Sequence, residues 1–295
     1  MNTNIKKDLV NLRVDFAFKQ LFGVEGNEEI LTSFLNAVLQ STSEETIISL
    51  HIEDPHLSKE HEDDKLSILD LRATLNNGIK VNIEIQVRDK KDMKERSLYY
   101  WSSMYSSQLK KGMLYKSLRQ TICINLVDFI IFPEEEDFHN VGVVMNRKSK
   151  RIITEDLELH FIEIPKLIKE WQGERIDPWK DTLVRWLLLF PAHEDERLTT
   201  ILEEIAMEKD PVLKKAIQNW EHMSSDESFR RLYEAREKEL RDKVSEIETA
   251  REQGAMGEKK QIILKLSKMG LSFEKIAEAV ELSVEKVQRI LKKEQ

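Results

Sequence analysis

Leu66-Ser67-Ile68-Leu69-Asp70-Leu71-Arg72-Ala73-Thr74-Leu75 and Ile79-Lys80-Val81-Asn82-Ile83-Glu84-Ile85-Gln86-Val87-Arg88, joined by Asn76-Asn77-Gly78, read as two β-strands and a glycine turn. Asp and Glu are poor strand residues, and burial works against their charge. Two acids facing the same way across a hairpin therefore call for a cation between them. The loop length decides whether they do. A two-residue Asn77-Gly78 loop would pair Asp70 with Ile85 and point it away from Glu84. A three-residue loop, with Gly78 at positive φ, places Asp70 opposite Glu84. It also puts Asp70, Arg72 and Thr74 on one face with Lys80, Asn82, Glu84 and Gln86, and leaves the other face apolar. A slip of one residue would flip every side chain, so this sorting selects the three-residue loop.

Around the hairpin, Phe16, Leu21, Phe22, Ile30, Leu31, Phe34, Leu35, Val38 and Leu39 predict helix over 12–40, broken at Gly23–Gly26, with Asn27 capping the second piece. Residues 46–53 read as a strand, 89–111 as a helix ended by Gly112, and 121–132, 138–146 and 157–164 as further strands. The order is helix, three strands, helix, strand. A helical region with Pro191 and Pro211 as punctuation follows. The expected organisation is an α/β core at 1–175, a helical extension at 176–223, a charged linker helix at 224–260 and a small tail at 261–295. The linker's thin apolar seam allows either a solvated helix or self-assembly into a homo-oligomer. In the tail, Ser272 and Ser283 are candidate N-caps of two short helices at helix-turn-helix spacing, which a plain helical appendage would also satisfy.

The 295-residue chain, with 40% hydrophobic and 34% charged residues, has the composition of a soluble globular protein with exposed helices. It has no apolar run near the roughly 20 residues of a membrane span, no signal-like start and a single cysteine, Cys123. A cytoplasmic location and no membrane partner are expected. A net charge of −8 argues against a protein that simply coats nucleic acid, although not against an enzyme that grips it locally. His51, His56 and His61 recur every five residues, which suits neither one helix face nor one strand face.

Two carboxylates and the intervening Ile85 carbonyl make a hard oxygen site suited to Mg²⁺ or Mn²⁺, and Gln86 faces the same space, where it can orient a water. Such a site serves phosphodiester hydrolysis. The element order with Asp70 and Glu84-Ile85-Gln86 resembles the PD-(D/E)XK nuclease superfamily and its restriction-endonuclease-like core. More closely, Asp15-Phe16-Ala17-Phe18-Lys19-Gln20-Leu21-Phe22-Gly23, Phe34-Leu35-Asn36-Ala37-Val38-Leu39 and Arg96-Ser97-Leu98-Tyr99-Tyr100-Trp101 resemble the Rpn family of recombination-promoting nucleases, also called PD-(D/E)XK transposases, over roughly residues 10–170.

The resemblance implies metal-dependent cleavage of DNA, with Asp70 and Glu84 as metal ligands. It departs from the superfamily at Gln86, where lysine is usual. Asp15 and Lys19, one helical turn apart, are either an ordinary ion pair or site support. Glu29 is a candidate for the extra acid such proteins often carry on the first helix. Arg96 and Tyr100 share a helical face, with Arg96 placed to hold a phosphate, to pair with a site acid or simply to pack. The alternative function is a catalytically degenerate module that binds DNA or a partner.

Overall fold

A computed structural model describes residues 8–43, 45–53 and 71–292. The chain divides into two compact units at 233/234. In the first, helices α1 (Asp15–Phe22) and α2 (Glu28–Leu39) precede strands β1 (Leu50–Glu53), β2 (Leu71–Leu75) and β3 (Lys80–Gln86). Helix α3 (Met93–Ser107), strands β4 (Thr121–Val127), β5 (His139–Met145) and β6 (Ile152–Glu163), and helices α4 (Ile164–Gln172), α5 (Thr182–Leu187), α6 (Glu196–Glu208) and α7 (Pro211–Ser225) follow. The six strands form one mixed sheet in the order β1-β2-β3-β4-β6-β5, with β3, β4 and β6 parallel and the rest antiparallel. This is the α/β core with a helical C-terminal region that the sequence predicts.

The β2–β3 register pairs Leu71 with Ile83, Arg72 with Asn82, Ala73 with Val81 and Thr74 with Lys80. Leu75 N–H donates to Ile79 O at 2.9 Å, and Gly78 takes φ +88°. The loop is therefore the three residues 76–78. Asp70 lies outside the described residues.

The two faces of the sheet are covered differently. Leu71, Ala73, Val81, Ile83, Ile122 and Ile124 are buried under α1 and α2, whose Phe18, Phe22 and Phe34 pack their rings against Trp186 and Phe190. The helices beyond residue 176 thus pack on α1 and α2 as part of the same apolar layer. Full burial of each large aromatic stabilises by about 2–3 kcal/mol. Asp181, Asp195 and Asp210 cap α5, α6 and α7 through their carboxylates. On the polar face, α3 covers β4: Trp101 Nε1 donates to Thr121 O at 2.9 Å, and Asn125 Nδ2 donates to Ser97 Oγ at 2.8 Å.

Several boundaries differ from the sequence reading, each for a local reason. The strand expected over 121–132 ends at Val127. There the N–H groups of Ile131 and Phe132 leave the ladder to bond the Glu163 carboxylate at 2.5 and 3.1 Å. The strand expected from 46 begins at Leu50, because the side-chain amide of Asn36 pairs with the Ile47 backbone instead. Asn27 stands at the α2 N-cap position but does not cap. Its Nδ2 donates to Leu21 O at 2.9 Å, and its Oδ1 accepts from Asn219, tying α1 to α7. The helix α4, opening on Ile164-Pro165, has no counterpart in the sequence reading.

Helix α8 (Glu227–Lys268) runs without a break through the expected linker. In the second unit, Ile263 packs with Ile276, Ala277 and Val280 of α9 (Phe273–Val280) and Val287 of α10 (Val284–Lys292). The three-residue turn between α9 and α10 opens with Glu281 at φ +53°. Ser283 accepts from Lys286 N–H at 3.3 Å, whereas Ser272 makes no cap bond to the backbone.

Candidate active site

Alternation along β3 sets Lys80, Asn82, Glu84 and Gln86 on the face shared with Arg72 and Thr74. Lys80, Thr74 and Arg72 are gathered by Glu53 of β1, through contacts of 2.5 Å to Lys80 and 3.1 Å to Arg72 and a hydrogen bond from the Thr74 hydroxyl. Burial works against the Glu53 carboxylate, but these partners outweigh it and hold its pKa below the ordinary value.

Glu84 lies deeper, 2% exposed in the interior of the strand. Asn82 Nδ2 donates to Glu84 Oε1 at 3.3 Å, and Arg96 Nη2 of α3 lies 3.6 Å from Glu84 Oε2. Arg96 also donates to the Tyr100 hydroxyl at 3.3 Å, with its guanidinium 5.6 Å from the Tyr100 ring. Burial opposes the Arg96 charge, yet Tyr100, Glu84 and Asp92 more than compensate, so its pKa rises further. The Cys123 thiol, on the neighbouring strand opposite Asn82, is pushed up first by burial and then by the Glu84 charge. It stays protonated and takes no part in thiolate chemistry.

Gln86 ends β3, half-buried, and its carbonyl accepts the Asp128 N–H at 2.9 Å. Just beyond it, the buried Arg13 donates to the Asp128 carboxylate at 3.1 Å and pairs with Glu194. Burial raises the Asp128 pKa, and Arg13 only partly offsets it. This contact ties Arg13, two residues before α1, to the residue that follows β4 and bonds the end of β3, while Asp15 and Lys19 of α1 are half-buried. Ile85 faces the apolar side, leaving its backbone carbonyl in the plane of the sheet.

The structure thus brings Glu84, Arg96 and Tyr100 together and sets Gln86 beside them. Glu29 goes elsewhere: it is exposed, 3.2 Å from Lys215, at the seam of α2 and α7. Asn82, Arg13 and Asp128 are site neighbours that the sequence reading did not single out. Asn82 is legible as the polar residue two before Glu84. Arg13 and Asp128, 115 positions apart, carry no local signal. Among the described residues, no three His, Cys, Asp or Glu side chains converge in a way that could hold a metal ion.

A family model described as PD-(D/E)XK nuclease family transposase matches residues 12–250. The chain belongs to this family. No curated protein and no solved structure matches it. The matched span contains the hairpin, α3 and the whole sheet, so membership and the buried Glu84 concern the same part of the molecule. PD-(D/E)XK nucleases are hydrolases of phosphodiester bonds that generally use divalent metal ions. No helix among the described residues is long and apolar enough to cross a membrane.

Proposed function

We propose that this PD-(D/E)XK family chain is a Mg²⁺- or Mn²⁺-dependent DNA endonuclease acting in recombination or other mobile-element transactions. The observation that carries the reading is Glu84: a carboxylate almost wholly buried in a strand, held between an amide and a guanidinium. A strand interior accepts such a charge at a cost of several kcal/mol unless it is compensated. A metal site supplies a reason to keep it.

The donors fit the ion. Asp70, Glu84 and the Ile85 carbonyl offer only hard oxygen, as Mg²⁺ and Mn²⁺ require. Three observations support Asp70 as the second ligand: the three-residue loop, the β2–β3 register from Leu71 onward, and the polar face that Arg72 and Thr74 continue. When bound, the ion would polarise the phosphate and lower the pKa of an attacking water. Arg96, charged at any working pH, is placed to neutralise the phosphate once Glu84 has turned to the metal. Gln86 donates and accepts hydrogen bonds, so it can align a water, but it adds no charge where lysine would. Lys19 of α1 is a second candidate phosphate contact.

The Arg96–Glu84 contact also favours a second reading, in which the guanidinium permanently replaces a lost metal and the site only stabilises the fold. Nicking of supercoiled plasmid in Mg²⁺ and Mn²⁺ separates the two. Glu84→Gln and Asp70→Asn should each lose at least a hundredfold in rate. Equal cleavage by wild type and both variants would overturn the active-site assignment. A wild type that neither cleaves nor binds Mn²⁺ in a calorimetric titration would establish the degenerate site.

A further inference from the structure

Although the protein carries a net charge of −8, two stretches contain no Asp or Glu: Arg96 to Val127 and Phe138 to Thr154. Both deliver exposed basic loops to one end of the sheet. Lys80 pairs with Thr121 and Thr121 with Leu157, so the loop 109–119 enters β4 at that end. The β5–β6 hairpin turn 146–151 precedes β6 and projects from the same end.

The loop 109–119 is built rather than slack. Gln108 clasps its far end, donating to Arg119 O at 3.1 Å and Thr121 Oγ1 at 2.9 Å and accepting the Arg119 N–H at 2.9 Å. Gly112 at φ +91° and bonds from Met113 N–H to Lys110 O and from Ser117 N–H to Leu114 O fold its tip. That tip holds Met113, Leu114 and Tyr115 in water at 44, 62 and 81% exposure, between exposed Lys110, Lys111 and Lys116. Three successive large apolar side chains gain nothing from folding in this position, and such a patch marks a contact surface.

The hairpin is likewise shaped, by the Asn146 side chain accepting the N–H groups of Lys148 and Ser149. It presents Arg147, Lys148, Lys150 and Arg151. Of the acids nearest this end, Asp156 is engaged by the Tyr105 hydroxyl and Glu158 by His160 and Gln120, and Glu155 is the exposed one against the four cations of the turn.

We propose that the loop 109–119 and the hairpin 146–151 form a second nucleic-acid contact that anchors an unpaired DNA segment flanking the cleaved bond. The lysines and arginines take phosphates, and Tyr115 stacks on a base. Phosphate-binding cations interleaved with an exposed aromatic are the chemistry of single-strand recognition. Four strand residues separate the level of Lys80 from that of Glu84, roughly 13 Å, so the anchor holds DNA about four nucleotides or more from the site. The proposal rests on the nuclease reading and specifies how that site acquires its substrate.

The test is fluorescence anisotropy of a labelled single-stranded oligonucleotide with the full chain in EDTA, so that binding is read without cleavage. Joint substitution of Lys110, Lys111 and Lys116 by Gln should weaken binding and reduce the slope of log K against log salt by about 2. Tyr115→Ala should lose roughly tenfold while Tyr115→Trp retains affinity. Gln at Lys169, Lys180 and Lys238, exposed lysines elsewhere in the chain, should change little.

Wild-type affinity and salt slope in the loop variants would overturn the anchor. If Glu84→Gln still abolishes nicking in that case, the nuclease reading stands without it. Loss of binding to phosphatidylserine vesicles by the loop variants, with DNA binding intact, would assign the surface to a membrane and also overturn it. A wild type that binds no single-stranded DNA would likewise overturn the anchor, and plasmid nicking by wild type against Glu84→Gln then decides the nuclease reading by itself.

Discussion

Glu84 and Arg96 form a half-made ion pair: one partner is almost fully buried, and the contact, at 3.6 Å, is longer than a good hydrogen bond. Such a pair adds little net stability, but losing one partner leaves the other buried with less compensation. Arg96→Ala should therefore cost about 1–3 kcal/mol in urea unfolding. Addition of Mn²⁺ should recover more stability in that variant than in wild type, because the ion and the guanidinium share one carboxylate. Gln86 tests the mechanism from the other side. Gln86→Ala should lower the nicking rate about tenfold with little effect on folding, since the side chain is half-buried at the strand end. Gln86→Lys should retain or exceed the wild-type rate, because it adds the positive charge that glutamine lacks. Plasmid nicking with matched denaturation curves checks both.

At the scale of elements, the hairpin loop carries the register. Gly78 holds φ +88°, and a Cβ there would meet Arg119 no closer than 3.5 Å, so Gly78→Ala is opposed by backbone conformation rather than by collision. It should cost roughly 1–2 kcal/mol and weaken metal binding if the register loosens. A second element-level feature lies on the opposite sheet face, where His160 Nε2 meets Glu158 Oε1 at 2.5 Å and His160 Nδ1 meets His139 Nε2 at 2.8 Å. Burial, then the neighbouring His160, pushes the His139 pKa from 6.5 down to about 4, against the pull of Glu158. The unfolded chain thus binds more protons than the folded one between pH 6.5 and 4, and stability should fall as pH drops through that window. The loss is on the order of 2–3 kcal/mol. Glu158, whose pKa is held low by His160 and Thr42 despite burial, extends the loss below its ordinary value of 4.5. His139→Gln should flatten the dependence between pH 6.5 and 4 in chemical denaturation.

At the scale of the molecule, the sheet and its helical layers close as one unit. The N-terminal segment is pinned to α7, where Trp220 Nε1 donates to Val10 O at 2.9 Å and Ser224 Oγ accepts the Val10 N–H at 3.1 Å. Phe229 and Tyr233 at the start of α8 are buried against the same unit, and the Tyr233 hydroxyl accepts the Asn11 N–H at 3.1 Å. A chain ending near residue 243 should therefore keep the main unfolding transition, and Trp186→Ala should lower its stability by about 3–5 kcal/mol. Calorimetry of both proteins checks this. Sedimentation of the shortened chain against the full one tests self-assembly through the part of 224–260 that it lacks, since an unchanged oligomer would exclude residues 244–260 from the interface.

Chemistry written in neighbouring residues is legible in the sequence itself. The alternation of β3 separates its two faces, Gly78 settles the loop, and the order of helices and strands follows from periodicity. Each of these depends on residues within about one turn or one strand of each other. What only the tertiary structure decides are the effects of distant groups. Glu163 binds two N–H groups of the segment that follows β4, Asn36 takes the backbone ahead of β1, and Asn219 and Leu21 engage the Asn27 side chain in place of capping. The site divides in the same way. Glu84 and Gln86 are positions on one strand, so the sequence alone places them. Arg13 on Asp128, and the gathering of the 109–119 and 146–151 loops at one sheet end, arise only when parallel crossovers bring separate segments level. Sequence spacing holds no record of that encounter, because tertiary packing, rather than the local backbone, sets those distances.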